Sequence, residues 1–191
     1  MDIEISEEPM TALSDYAEVP IAFEVQSVLD VEVDGRGAAV LAERTLEAPY
    51  VKELESPTQW ARSFDLSNWG LIVARLRGRR VGGAVIAFNT AGVTMLEDRN
   101  DLAVLWDIRV APQVRGKGVG SALFRAVEAW ATARGCRQLK VETQNNNVAA
   151  CRFYQRQGCV LGGVHRSVYP ELPSEVQLFW YKDLLALRAQ R

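Results

Sequence analysis

Histidine is almost missing from this chain: His165 is the only one. Histidine-based acid–base chemistry therefore has a single candidate. His165 follows Gly162-Gly163-Val164 in an extended apolar stretch, which reads as a structural position. Cysteine is scarce too. Cys136, Cys151 and Cys159 are odd in number, lack C-x-x-C spacing and have only His165 to complete a ligand set, which argues against a zinc site or a disulfide framework. They read as buried free thiols of a reducing compartment. No apolar run approaches the roughly 20 residues that span a bilayer. The opening MDIEISEEPM lacks the basic and apolar layout of a secretory leader. A cytoplasmic protein with no membrane partner is expected. Net charge is also small, 22 Lys and Arg against 24 Asp and Glu, so bulk charge gives no footprint for nucleic acid. Internal repeats and low-complexity tracts are missing as well.

What is present centres on Leu102 to Ala131. A β-branched apolar run ends at Val110, and Val119, Ala122, Leu123, Ala126, Val127, Trp130 and Ala131 then repeat at the spacing of one helical face. Between this strand and helix lies Arg115-Gly116-Lys117-Gly118-Val119-Gly120. Glycines allow a tight turn, and the first N–H groups of a helix have no intrahelical partner, so the turn suits an anion. The spacing fits neither G-x-G-x-x-G, because Ser121 takes the last position, nor a P-loop, because Gly116-Lys117 is followed by Gly118. A plain glycine-rich turn is the other reading.

Around this centre the chain alternates strands and helices. Residues 1–18 are acidic, show little periodicity and read as a loose or partly ordered lead-in. Pro20 to Val33 fits an opening strand ended by Asp34-Gly35. Gly37 to Val51 fits a strand or a loop reaching over a site. Ser56-Pro57 reads as a cap and first position of a helix through Trp60 and Phe64 to about Asn68. Leu71 to Leu76 and Val81 to Phe88 form a hairpin around Arg77-Gly78-Arg79-Arg80, and Asn89 to Asp101 is its exit loop or a lip over an acceptor site. After the central helix, stopped at Gly135, come a strand over Gln138 to Thr143, a helix over Asn147 to Gln157 closed by Gly158, and strands over Cys159 to Val168 and Val176 to Tyr181. An apolar edge strand in the last position would permit a homodimer.

R-x-x-G-x-G at Arg115, Gly118 and Gly120, directly after a buried strand, resembles the pyrophosphate-binding motif of the GNAT superfamily of N-acetyltransferases. A second stretch resembles the same family's N-x-x-A-x-x-F-Y-x-x-x-G-F pattern at Asn147, Ala150, Phe153, Tyr154 and Gly158, with Cys159 replacing the last aromatic. The match covers about Gly70 to Tyr181. Asp107-Ile108-Arg109-Val110, ETQNNN at Glu142 to Asn147, Ala150-Cys151, Leu161-Gly162-Gly163, Tyr169 and Trp180-Tyr181 look like the streptothricin acetyltransferase branch. The resemblance implies a single domain over residues 19–191. Its fold would be a mixed, mostly antiparallel, twisted α/β sheet of about seven strands flanked by helices and splayed between the fourth and fifth.

The resemblance also implies acetyl-CoA as cofactor, its pyrophosphate held by backbone N–H groups of Arg115, Gly116, Lys117, Gly118, Val119, Gly120 and Ser121. Main-chain groups of Ile108, Arg109 and Val110 would pair with the pantetheine arm, and Asn147 would cap its helix and contact the cofactor. Tyr154 is the matched general acid and Glu142, at a strand end, the candidate base, although a strand-end Glu is often only solvated. Asp107 would bind a cationic acceptor or sit at a sheet edge. Trp60 and Trp69 fall where the family builds its acceptor pocket. The implied reaction is direct acetyl transfer to a primary amine in a ternary complex, the acceptor a streptothricin-like antibiotic or another small amine. A protein or peptide N-acetyltransferase and a non-catalytic acyl-CoA-binding module are the alternatives.

Overall fold

A computed structural model describes residues 2–33, 39–52, 55–172 and 174–184. The chain divides into two compact units: Met1–Ile21, Leu54–Lys140 and Asp183–Arg191 form one, and Ala22–Glu53 with Val141–Lys182 the other.

The first unit opens with β1 (Ile3–Glu8), a 3-10 turn at Met10–Ala12 and α1 (Leu13–Ala17). The lead-in read as loose or partly ordered is therefore a strand and a helix. Its register runs antiparallel to the strand over Gly70–Leu76, from Ile3 against Leu76 to Glu8 against Leu71. Two of its acids have fixed partners. Glu8 binds Arg75 at 2.5 Å and Arg80 at 2.7 Å, and Glu7 accepts the Trp130 indole N–H at 2.7 Å. Leu13 and Tyr16 are buried in the core.

In the second unit β2 (Phe23–Val33) and β3 (Ala39–Lys52) form an antiparallel ribbon of their own. Pro20 to Val33 is thus the expected strand, but outside the main sheet, and the stretch left open as strand or loop is strand from Ala39 on. Asp34-Gly35, expected to end the strand, lies outside the described residues.

The helix expected from Ser56 to Asn68 is shorter: a 3-10 turn at Pro57–Gln59 and α2 (Trp60–Ser63). Ser56 makes no side-chain cap bond. Phe64 turns extended, at φ −136° and ψ 150°, and its ring stacks on Trp69 at 5.8 Å and meets Trp106 edge-on at 5.3 Å. Aromatic packing overrides the local helical signal.

β4 (Gly70–Leu76) and β5 (Arg79–Phe88) are the expected hairpin, and Arg77 and Gly78 take left-handed φ values of 52° and 76° at its turn. β6 (Leu102–Val110) pairs antiparallel with β5, and α3 (Val119–Ala133) follows the glycine turn. Adjacent glycines on β5 open both faces of the sheet. A Cβ at Gly82 would meet Leu123 of α3 at 3.3 Å and the Arg109 carbonyl at 2.8 Å, and one at Gly83 would meet the Tyr16 ring at 2.7 Å. The helix sits over one face and α1 over the other.

Gly135, at φ 81°, stops α3: its N–H bonds the Thr132 carbonyl and the Cys136 N–H the Ala131 carbonyl, both at 3.0 Å. β7 (Gln138–Gln144), α4 (Val148–Arg156), β8 (Val160–His165) and β9 (Gln177–Asp183) complete the chain. Gly158 closes α4 as Gly135 closes α3, with N–H bonds from Gly158 to Gln155 and from Cys159 to Tyr154, both at 3.0 Å.

Among the described residues the main sheet has seven strands in the order β1-β4-β5-β6-β7-β9-β8. The β1–β4, β4–β5, β5–β6 and β8–β9 pairings are all antiparallel. β9, the last strand among the described residues, is therefore internal, and the expectation of an edge strand at Val176 to Tyr181 is corrected. Leu178, Phe179 and Trp180 are buried in succession, as a strand covered on both faces requires. β8 is the edge, with Val160 exposed.

Candidate active site

In the first unit, β6 hands the chain to the glycine turn. The Ala111 N–H donates to the Val81 carbonyl at 2.8 Å, across from β5. Antiparallel alternation then aims the main-chain groups of Arg109 at β5 and those of Ile108 and Val110 the other way. The Val110 carbonyl accepts from Arg115 Nε at 3.0 Å, consistent with that direction. Of the three residues expected to present main-chain groups to a pantetheine arm, Ile108 and Val110 turn theirs away from β5 and Arg109 turns its own towards it.

Gly116 and Gly118 take φ values of 73° and 87°, a conformation that strains other L-residues, and a Cβ at either would meet nothing within 4 Å. The first hydrogen bond of α3 runs from the Ala122 N–H to the Gly118 carbonyl at 3.0 Å. The amides of Gly118, Val119, Gly120 and Ser121 come before it. The helix start carries no side-chain cap and no acid in its first turn, so its positive end is not matched by a carboxylate there. Lys117 Nζ reaches back to the Gln113 carbonyl at 2.9 Å. A turn with open space over its glycines, a positive helix end with no acid in its first turn and two exposed cations fits a pyrophosphate.

Asp107 is placed differently from expectation. Its side chain is 8% exposed, Arg109 grips it with Nη2 at 2.7 Å and Nε at 3.0 Å, and the Tyr16 hydroxyl donates to the same carboxylate. Arg109 lies over the Tyr16 ring, 4.7 Å from its centroid, and donates to the Val19 carbonyl at 3.2 Å. Burial and the Asp107 charge push the Tyr16 phenol well above its ordinary range. Asp107 is the counterion of a buried arginine and is not available to a cationic acceptor. Trp106, beside it, is the extra residue of a bulge against Val85 and Ile86 and packs on Trp69 at 5.1 Å.

In the second unit, alternation along β7 buries Val141 and Thr143 and leaves Glu142 and Gln144 half-buried on the opposite face. Glu142 Oε1 accepts from the Tyr169 hydroxyl at 2.6 Å and from Gln144 Nε2 at 3.3 Å. Burial and the neighbouring carboxylate push the Tyr169 phenol upward. Asn147 caps α4 through a bond from the Ala150 N–H at 3.1 Å, as expected. Tyr154 is buried on α4, its ring 5.3 Å from that of Phe153.

Two residues of the ETQNNN run have roles that the sequence does not disclose. Asn145 donates to the Leu29 carbonyl at 3.1 Å and accepts the Val176 N–H at 2.8 Å. Asn146 donates to Tyr50 Oη and to Glu175 Oε1, both at 3.0 Å, and Glu175 also pairs with Lys52. Both asparagines hold the β2–β3 ribbon and the strand approach at Val176 to the end of β7. His165 is exposed and lies edge-on to Phe179, at 5.1 Å.

Residues 38–159 match the acetyltransferase (GNAT) family. The chain belongs to that family. As a GNAT protein it is an acetyl-CoA-dependent N-acetyltransferase. It is 29% identical over 147 residues to streptothricin acetyltransferase A of Bacillus subtilis (strain 168), covering 76% of this chain and 80% of that one. A streptothricin acetyltransferase of Escherichia coli is 39% identical over 85 residues, 43% of this chain; the match spans 49% of that protein's length. Among solved structures, a Bacillus anthracis str. Ames protein provisionally named a streptothricin acetyltransferase, in complex with acetyl coenzyme A, superposes with a TM-score of 0.78. It is 27% identical, covering 96% of this chain and 98% of that one. No helix among the described residues is long and apolar enough to cross a membrane.

Proposed function

We propose that this GNAT enzyme acetylates a primary amine of a small antibiotic of the streptothricin kind, by direct attack in a ternary complex. The similarity to streptothricin acetyltransferase A over most of both chains carries the reading. Acetyl-CoA, when bound, supplies the thioester acetyl group. The amides from Arg115 through Ser121 would hold its pyrophosphate, with screened charge from Arg115 and Lys117. The main-chain groups of Ile108 and Val110 would hold the pantetheine arm, and Asn147 would add a contact beside its capping role.

The remaining chemistry belongs to two side chains. A lysine-type amine has a reference pKa of about 10.4, so it must lose a proton before it attacks. Glu142 is the carboxylate that takes that proton. Tyr154 holds its own proton at Oη, with a reference pKa of about 10, for the departing sulfur. Its role rests on its place in the family pattern, beside Phe153 and four residues before Gly158.

The test is thiol release from acetyl-CoA against streptothricin, aminoglycosides, polyamines, lysine and short peptides. Selective turnover of streptothricin is expected. Turnover of peptides alone would move the chain to protein or peptide N-acetylation, and cofactor binding without turnover on any amine would favour a non-catalytic module.

A further inference from the structure

We propose that Tyr169 is a positioning residue for Glu142: it pins the carboxylate through Oε1 so that Oε2 is the oxygen presented to the acceptor's proton. The inference rests on the reading of Glu142 as the base. The geometry is a closed triangle. Tyr169 Oη donates to Glu142 Oε1 at 2.6 Å, Gln144 Nε2 donates to the same oxygen at 3.3 Å, and Gln144 Nε2 also donates to Tyr169 Oη at 3.1 Å. The phenol oxygen accepts from the amide while it gives its proton to the carboxylate, so each contact orients the next. Both bonds to Glu142 fall on one oxygen, and Oε2 takes none among the described residues.

Two parts of the fold set this up. Glu142 and Gln144 are two residues apart on one face of β7, so their side chains are neighbours. Tyr169 comes from the connection between β8 and β9, where its carbonyl accepts the Leu172 N–H at 2.9 Å. Tyr169 is half-buried, and its upward-shifted phenol keeps its proton through the working pH range and so remains a donor. Lys140 shares the face of β7 but is bound to Glu97 at 2.7 Å, and Gln177 on β9, which also bonds Tyr169, is neutral.

The experiment uses Tyr169→Phe, Glu142→Gln and the double variant, in steady-state kinetics with streptothricin and by NMR of protein labelled at the tyrosine ζ carbon. Tyr169→Phe keeps the ring and removes only the hydroxyl. It should lower kcat about tenfold with KM for acetyl-CoA unchanged, since a hydrogen bond to a charged group is lost. The tyrosine resonance missing from Tyr169→Phe should move towards phenolate at lower pH in Glu142→Gln. An unmoved Tyr169 resonance in Glu142→Gln, or an unchanged kcat in Tyr169→Phe, would overturn the inference. If Glu142→Gln itself keeps full kcat, the base reading fails instead, which the NMR result distinguishes.

Discussion

The Tyr16 hydroxyl donates to the carboxylate of Asp107, 91 residues further along the chain, and so ties α1 to the strand that leads into the glycine turn. Arg109 completes the group from above the Tyr16 ring. Removing one charge of a buried pair leaves the other uncompensated. Asp107→Asn should therefore cost about 3–5 kcal/mol of stability. Tyr16→Phe leaves the ion pair standing and should cost only about 1 kcal/mol. Urea unfolding midpoints measure both. An acceptor-binding Asp107 would give the reverse pattern, with full stability and a raised KM for the amine.

Tyr154→Phe keeps the packing against Phe153 while removing the phenolic proton. Turnover should fall by about 100-fold or more, in the range of general acid catalysis. Affinity for CoA, followed by calorimetry, should stay within about twofold. Unchanged turnover would remove the general-acid role.

The glycine turn separates charge from shape. Arg115→Ala and Lys117→Ala should each weaken acetyl-CoA binding several-fold at low salt with little change in kcat. The difference should fade near ~1 M salt, where the screening length is about 3 Å. Gly118→Ala is a conformational change at φ 87°. It should cost about 1–2 kcal/mol of stability and weaken cofactor binding at every salt concentration.

Burial pushes the thiols of Cys136 and Cys151 up to about 11. Both should resist a thiol-specific reagent at pH 8 and react once urea unfolds the chain. Because the folded pKa lies above the unfolded one, the unfolded state loses its protons first as pH rises. Their contribution to stability is therefore complete below about pH 9 and declines between about 9 and 11. Denaturation midpoints across that interval give the check. A stability that rises over it would contradict the burial of these groups.

Legibility from sequence follows the range of the interactions. The central strand is read to the residue, Leu102 to Val110, and α3 begins at Val119, because a buried apolar run, a helical period and glycines of positive φ are all local signals. The caps at Asn147, Gly135 and Gly158 are local in the same sense. What escapes depends on distant partners. β1 has only Ile3 and Ile5 as apolar alternation, and its acids make sense only beside Arg75 and Arg80. Asp107 looks like a free carboxylate until Arg109 and Tyr16 are seen to occupy it. Glu142 is legible as a candidate, but its partner Tyr169 comes from a different element, and no sequence period joins them.

The placement of β1 also bears on how the chain is made. Its six residues pair with β4 alone, so a strand already released from the ribosome waits for its partner until the segment through Leu76 has emerged. At about 5–20 residues per second that interval lasts seconds, long enough for an unpaired strand to find a neighbouring nascent chain. Glu4, Glu7 and Glu8 make such self-pairing repulsive. The acidity that balances Arg75 and Arg80 thus also disfavours edge pairing between two copies of the strand.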